Sequence, residues 1–523
     1  MSELTANDSP VTGALSWPEQ RRNLILFAVC TGTQYLAAPV LYVGITQASL
    51  CDRLGADART SNLPGTLFFA MTAMPALFAW LSPRVSSLKR NLGLFYGTSA
   101  LMMAVLAVTL ALPVSNQVKL AMIVLQGAIS GAVMPAAIAL LWEAMAQGSD
   151  ESRRGLALSM AFGVGPLLAV VGSFGQTSLL GGDLFGLHFD GLSYPRNFII
   201  LFAAGVPVMA LAAIFSQFFF IAPVEKEQER ESVSAVIGLL IGIPLMLAAI
   251  ALMQIAADPA DATVESLSSD PRMSTLFRTL GSMFTVCSAL AFIYHFRTVF
   301  QQRVLLFATL VTILVYAGNV IPSNMNLYSS EALGDLPEKY AGVQNMLRFS
   351  FKVVAGAVLG WVLTRTNPKV GILATASIFL VAQIWAMCVT GPWYLVAFGI
   401  HGAGELVGVY APNYIVSASR RDQLRRNMAF VTMLMVPAAP AGYLYGAIVD
   451  EVKKAEWTAY GMNSTSLGFR LSFLVCGLLI LSGILLAILL LPARPRPGSP
   501  VSRGRRENLP GNLRKSLNNE YDF

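Results

Sequence analysis

The stretches GAISGAVMP (127–135) and GELVGVYAP (404–412) carry Gly, Gly and Pro at the same spacing, and each lies inside a long apolar segment. Each is followed by two arginines and a short mixed segment, RRGLAL (153–158) in one case and RRNMAF (425–430) in the other. A duplicated unit with Gly and Pro at matching places in apolar segments points to a site near the membrane midplane, between the two copies. The sequence therefore predicts two related halves embedded in a membrane.

The composition is also that of a membrane protein. Of the 523 residues, 55% are hydrophobic and 12% are charged, against roughly 25% charged in an average soluble domain. Mean hydropathy is +0.61, and the apolar blocks are long enough to cross a hydrocarbon core of about 30 Å as helices. These values exclude a disordered chain and an ordinary soluble enzyme. The net charge of +7 then reflects loops beside the lipid bilayer rather than nucleic-acid binding.

The apolar blocks predict an all-α polytopic membrane protein with fourteen spanning helices, arranged as two six-helix bundles and two extra central helices. Helices 1–6 are predicted at 23–48, 63–82, 91–112, 118–146, 156–180 and 197–222, helices A and B at 233–256 and 275–296, and helices 7–12 at 303–329, 343–364, 370–390, 393–417, 428–449 and 468–492. The predicted domains are an N-terminal segment (1–22), a first bundle (23–222), a two-helix insertion with its linkers (223–302), a second bundle (303–492) and a basic disordered tail (493–523).

The Lys and Arg residues predict the orientation of the chain. With the N terminus inside, 24 of the 36 lie in inside segments, 10 in outside segments and two within helix 8. Because positive residues collect in cytoplasmic loops, we expect both termini in the cytoplasm, and "outer" below means the opposite end. The first apolar block is too long for the core of a cleaved signal peptide. No organellar targeting segment is visible, so we expect a multi-pass protein of the cell inner membrane. We also expect a monomer.

The duplicated six-helix unit resembles the major facilitator superfamily of transporters. In that superfamily the loops after helices 2 and 8 carry a Gly, an Asp-Arg pair, a second Gly and basic residues. Here the loop after helix 8 keeps Gly360, Arg365 and Lys369 but has Thr364 in place of Asp, and the loop after helix 2 keeps only Arg84. The four matching residues are candidates for a gating role. The resemblance covers nearly the whole chain except A, B and the tails. It implies a central cavity lined by helices 8 and 10, with helices 1 and 7 facing each other across it. Two central extra helices occur in some fourteen-helix members.

Two basic side chains, one histidine and one glutamate lie within predicted helices 8 and 10. A charge at the bilayer centre costs about 2.5–3.5 kcal/mol on insertion scales, so it needs a partner or a water-filled cavity. Arg348 and Lys352 are one turn apart on helix 8, and His401 and Glu405 are one turn apart on helix 10. At about 1.5 Å per residue, Lys352 lies ~14 Å and Glu405 ~18 Å below the outer ends of their helices. If both helices line one cavity, Lys352 and Glu405 form a pair.

This group has two interpretations. In the first, Arg348 and Lys352 bind an anionic or zwitterionic substrate, because an Arg side chain offers a bidentate fork to carboxylate or phosphate. Glu405 and His401 would then carry protons if transport is proton-coupled. In the second, the ions form a structural pair that only locks helix 8 to helix 10.

A second group is polar and uncharged, and it includes Gln34 and Tyr35 on helix 1 and Asn319 on helix 7. Amides and phenols suit hydroxyl-rich ligands, so these residues are candidate substrate contacts. The alternative is hydrogen bonding between helices, which contributes about 0.6 kcal/mol per contact in membrane proteins.

Motifs for other activities are missing from the sequence. The five cysteines show no paired spacing, the three histidines are scattered, and neither a Walker glycine loop nor a serine–histidine–acid arrangement is present. We therefore expect no catalytic residues, cofactor or metal. The leading hypothesis is a secondary active transporter that moves a small organic anion or zwitterion by alternating access. A transporter of neutral hydroxylated solutes or drugs, and a sensor or scaffold that no longer transports, are the alternatives.

Overall fold

The computed structural model describes residues 15–149, 164–184, 187–221, 233–257, 271–300, 302–363, 365–418, 433–493 and 495. Its first half contains nine helices in these described ranges. They are α1 (Trp17–Leu36), α2 (Ala38–Leu41), α3 (Ile45–Arg53), α4 (Ala58–Ala70), α5 (Met74–Leu81), α6 (Leu88–Ala111), α7 (Asn116–Gly148), α8 (Gly165–Leu180) and α9 (Arg196–Ser216). Between α8 and α9, strands β1 (Gly182–Leu184) and β2 (Leu187–Phe189) form an antiparallel hairpin in which Gly182 pairs with Phe189.

The helices of the second half follow the insertion. Helices A and B are α10 (Ile237–Ala257) and α11 (Pro271–Phe300). The remaining helices are α12 (Arg303–Tyr316), α13 (Pro322–Leu333), α14 (Pro337–Leu363), α15 (Pro368–Cys388), α16 (Val396–Gly404), α17 (Val407–Ala418), α18 (Pro440–Lys454) and α19 (Ser464–Leu490). Short 3-10 segments join several of them, for example Ala317–Val320 between α12 and α13 and Met433–Ala438 before α18.

The protein is an integral, multi-pass membrane protein. Ten stretches of the described residues are long and apolar enough to span a membrane. The helices at the positions of predicted helices 1, 5, 8 and 11 are shorter, broken or more polar in these residues. The predicted all-α polytopic class is confirmed, whereas the assignment to a fourteen-helix subfamily and the domain limits remain predictions.

Predicted helix 1 is not one continuous helix, so its predicted range of 23–48 was wrong. The chain leaves the helix at Ala37 and again between α2 and α3, where Gly44 has φ of 161°. A broken helix in lipid leaves carbonyl groups that need donors. Thr46 donates from Oγ1 to the Pro39 carbonyl at 2.5 Å, and Gln47 donates from Nε2 to the Val40 carbonyl at 3.0 Å. These two side chains stabilise the break.

Each half packs as a bundle of its own. In the first half α6 packs on α7 and α9, and α1 packs on α8 and α9; in the second, α19 packs on α12, α15 and α18, and α14 packs on α16. The halves contact each other where α8 meets α14, α4 meets α18, and α3 meets α13. One apolar core of buried side chains includes residues of both halves, among them Phe27, Phe202, Phe379 and Phe473.

Helix A (α10) lies against the junction of α4, α5 and the segment before α18. Its buried residues Leu239, Ile243 and Met246 share an apolar cluster with Leu77 and Val436. Helix B (α11) packs on α10, and the spanning part of B is only 11% buried. In the described residues, both extra helices therefore lie on the outside of the two bundles.

Candidate functional site

The charged side chains of helices 8 and 10 meet in the structure. Glu405 accepts hydrogen bonds at Oε1 from Nε of Arg348, at 2.5 Å, and at Oε2 from Nζ of Lys352, at 2.9 Å. A second guanidinium nitrogen of Arg348 lies 2.5 Å from Oε1. The Glu405 side chain is 7% exposed, Arg348 14% and Lys352 22%, so the cations retain more contact with solvent than the carboxylate does. One carboxylate thus lies between two cations.

Two local features of helix 10 produce this arrangement. Gly402 has no side chain where α16 meets α14, and a Cβ there would overlap the backbone of Arg348. The two backbones can therefore approach closely enough for Glu405 to reach both cations. The helix is also interrupted at Glu405, since α16 ends at Gly404 and α17 begins at Val407. Discontinuous helices near the midplane are typical of binding sites in secondary transporters.

The first half of the chain completes the surroundings of the cluster. Phe349, next to Arg348, is 2% exposed and packs in one apolar cluster with Ala38 and Ala169, and with Tyr35 and Tyr42 around it. The rings of Tyr35 and Phe349 meet edge to face at 6.4 Å. The charged group therefore lies where the two halves meet.

Sequence reasoning missed Phe349. Lys352 Nζ lies 5.9 Å and the Arg348 guanidinium carbon 5.7 Å from the centre of its ring. An apolar side chain in a spanning helix gives no sequence signal of its own. The available clue was that Phe349 lies between Arg348 and Lys352 in the sequence.

One face of α14 closes the site on the outer side. Asn345 donates from Nδ2 to Oε1 of Gln176 at 3.1 Å, and both side chains are buried. One turn further out, a Cβ on Gly342 would overlap Thr177 of α8. Beyond that, Glu338 lies 3.9 Å from the Arg53 guanidinium. These contacts join α14 to the first half on the outer side of Lys352.

A second contact joins the halves at the outer end of α4. Asp450 of α18 accepts hydrogen bonds from the backbone N–H groups of Ala58, at 3.0 Å, and Arg59, at 2.8 Å. These are N–H groups of the first turn of α4, which have no partner within the helix. Gly446 lies one turn back on α18, where a Cβ would overlap the backbone of Ala58 and Arg59. We call the Asp450–α4 contact the outer latch.

His401 is the most buried member of the group. Its side chain is 0% exposed, its Nε2 lies 3.5 Å from Oε1 of Glu405, and its ring centre lies 4.8 Å from that of Phe379. Neither ring nitrogen has a hydrogen-bond partner with good geometry among the described residues.

The neutral candidates have different surroundings. Gln34 is buried and donates to the Tyr96 hydroxyl at 2.5 Å, which links helix 1 to helix 3. Asn319 lies in the 3-10 segment between α12 and α13, with its Nδ2 3.7 Å from the Met435 sulfur. Its Oδ1 has no hydrogen-bond partner among the described residues. Tyr35 alone of these three contacts the aromatic group around the charged cluster.

The residues of the loop motif do not converge on one partner. Lys369 donates from Nζ to the carbonyls of Ile488 and Leu491, at 2.9 and 2.7 Å, and so caps the end of α19. The Arg365 guanidinium lies 4.2 Å from the centre of the Trp361 ring. Gly360 has open space where a Cβ would project, and Arg84 is exposed before α6. The described residues contain no group of three or more potential metal ligands.

Comparison with solved structures shows the fold. A crystal structure of a mutant form of the nucleoside transporter NupG matches with a TM-score of 0.56 and 11% identity, over 89% of this chain and 99% of that one. A POT family transporter in complex with 5-aminolevulinic acid matches with a TM-score of 0.58 and 12% identity, over 90% and 95%. The POT family transporter PepTSo matches with a TM-score of 0.57 and 14% identity, over 91% and 98%. The chain therefore shares the fold of these transporter structures.

The sequence itself has no such match. No protein-family model and no curated protein matches the chain. At these low identities the similarity describes the fold, and the site must supply the argument for function.

Proposed function

We propose that the protein is a secondary active transporter that moves a small organic anion or zwitterion by alternating access. The observation that carries this proposal is the group of two cations and one carboxylate where the halves meet, beside an interrupted helix. Ionisable residues inside a membrane are expensive, and they mark substrate or ion pathways by default. Arg348 and Lys352 bind the anionic group, and Glu405 with His401 carries the coupling proton.

The contacts between the halves support the rocking motion that alternating access requires. The outer latch and the α8–α14 contacts close the outer ends of the bundles. They rest on a few hydrogen bonds and close glycine contacts rather than on a covalent link. We propose that these contacts open when the site turns outward and reform when it turns inward. We further propose cytoplasmic termini, on the basis of the charge distribution, together with an inner-membrane location and a monomer.

A ligand screen with a matched control tests the proposal. The purified protein is melted with organic anions, amino acids, sugars, nucleosides and lipophilic cations. A ligand at 100 times its Kd stabilises the folded state by about 2.7 kcal/mol. Lys352→Ala removes a cation of the site, whereas Lys339→Ala removes a lysine of the same helix that pairs with Asp335 at the outer end. We expect anions to raise the Tm of the wild type and of Lys339→Ala but not of Lys352→Ala.

The other outcomes decide between the alternatives. A shift by neutral solutes alone, equal in the wild type and Lys352→Ala, would make the charged group structural and favour Asn319 and Gln34 as substrate contacts. The best ligand is then tested for saturable uptake into proteoliposomes. Specific binding without uptake would favour the sensor or scaffold.

A further inference from the structure

The carboxylate of Glu405 already fills an anion-binding site. Its Oε1 is bound by Arg348 and its Oε2 by Lys352, so each oxygen has its own cation. This is how two cations hold a carboxylate ligand, with short, charge-assisted hydrogen bonds to both oxygens. A substrate anion cannot use the same donors until this carboxylate leaves them.

We infer that Glu405 is an internal substitute for the substrate, and that the substrate is a monocarboxylate which displaces Glu405 and enters together with one proton. This inference rests on the proposed function and names its substrate class and stoichiometry. In the bound state the substrate carboxylate accepts from Arg348 and Lys352. A proton from the aqueous phase binds a carboxylate oxygen of Glu405, which leaves the cations as a neutral carboxylic acid.

The displacement of Glu405 from its two cations requires the proton. The empty group holds two cations and one carboxylate, a net charge of plus one with His401 neutral. Without a proton, a Glu405 carboxylate that has left both cations to the substrate would be an unpaired charge in a largely buried site, and such a charge is strongly unfavourable. With Glu405 protonated the net charge is plus one again. The loaded and empty carriers thus have the same charge, and the transport cycle is electroneutral.

The groups that face Glu405 fit this exchange. Arg348 and Lys352 approach from α14, His401 lies on the same helix as Glu405, and Tyr35 and Tyr42 of the first half pack beside Phe349. None of these other side chains is a carboxylate that could replace Glu405 as the proton acceptor. His401, with its Nε2 3.5 Å from Oε1 of Glu405, lies close enough to share the proton that Glu405 takes up.

The site also indicates what kind of chemical group adjoins the carboxylate of the substrate. Tyr35 and Phe349 form an edge-to-face aromatic pair beside the cations. Aromatic side chains offer apolar contact to an apolar or aromatic body. We therefore expect benzoate to bind more tightly than butyrate, and both more tightly than inorganic phosphate.

Calorimetry on the full-length protein counts the proton directly. Benzoate, butyrate, phenylalanine, inorganic phosphate, benzamide and uridine are titrated at pH 7.5 in two buffers of different ionisation enthalpy. The difference between the two heats gives the number of protons taken up per ligand bound. We expect about one proton per carboxylate in the wild type and none for any neutral ligand that binds. Carboxylate binding without proton uptake, or binding by neutral ligands or phosphate alone, would overturn the inference and leave the proposed function standing.

Two variants test whether Glu405 is the group that takes up the proton. In Glu405→Gln the ligand no longer competes with an internal carboxylate, so we expect about tenfold tighter benzoate binding and no proton uptake. Glu338→Gln is the control, because Glu338 is another buried acid but lies at the outer end of α14 beside Arg53. It should keep the wild-type proton count. Should Glu405→Gln fail to fold, the wild-type count decides alone. If no ligand of any class binds or enters proteoliposomes, the proposed function itself has failed.

Discussion

Removing the outer latch should open the outer end of the protein. In Asp450→Ala the N–H groups of Ala58 and Arg59 lose their acceptors, at 3.0 and 2.8 Å. Hydrogen bonds to a charged group contribute about 1.5–3 kcal/mol each. The Asp450 side chain is 18% exposed, so water can replace part of the lost hydrogen-bond energy. We expect the closed outer end to lose about 2–4 kcal/mol relative to the open one, roughly 30- to 1,000-fold in their ratio.

Distances between spin labels on the two halves measure this change. Leu112→Cys, at the outer end of α6, and Tyr460→Cys, in the loop after α18, place one label on each half at exposed positions. The exposed native residues Cys287 and Cys388 are first replaced by Ser. Electron paramagnetic resonance should then give mainly one short distance in the wild type and a new, longer distance in Asp450→Ala.

The neighbouring acid provides the control. Glu451 pairs with Arg59 at 3.0 Å, but its side chain is 67% exposed, and exposed pairs contribute about 0–1 kcal/mol. Glu451→Ala should keep the wild-type distances. The reasoning is refuted if Asp450→Ala keeps them too at an unchanged Tm, or if both variants shift equally.

Two further predictions concern the contacts between helices. Gly402→Ala should lower the Tm and weaken ligand binding, because the new Cβ meets the backbone of Arg348. Gly408→Ala is the control, since its Cβ projects into open space and should change neither the Tm nor binding. Melting curves of the two variants test this, and an equal Tm in both would contradict it. Asn324→Leu removes the hydrogen bond from Asn62 across the two halves, so it should lower the stability of the closed outer end by about 0.6–1.7 kcal/mol. The same spin labels should show a smaller shift than in Asp450→Ala, and a larger shift would contradict the ranking.

The sequence determines the class of this protein and the depth of its charges. Long apolar blocks have few alternatives to spanning helices, because a backbone in lipid must satisfy its own hydrogen bonds. Helix geometry then fixes the depth of each residue along a span. The proximity of Lys352 and Glu405 could be predicted in this way, since an unpaired charge at that depth is too costly to leave alone.

Equal motifs in the sequence do not give equal structures. Gly127 and Gly131 of the first copy allow the backbone of α4 to touch α7, and α7 continues through Pro135. In the second copy a two-residue turn at Glu405 and Leu406 separates α16 from α17, and Gly408 faces open space. The helices packed around each copy decide whether its helix is continuous or interrupted. The spacing of Gly and Pro in the sequence does not specify which helices those are.

Only the tertiary structure decided which way the polar side chains point. Gln34 and Tyr35 are consecutive on helix 1, yet Gln34 bonds Tyr96 within the first half while Tyr35 contacts Phe349 across the junction. The latch of Asp450 on Ala58 joins residues almost four hundred positions apart. The sequence specifies which groups need partners, because burial in lipid makes unpaired polar groups costly. Which partner each group finds depends on how the helices pack, and packing is a property of surfaces that meet only after the chain has folded.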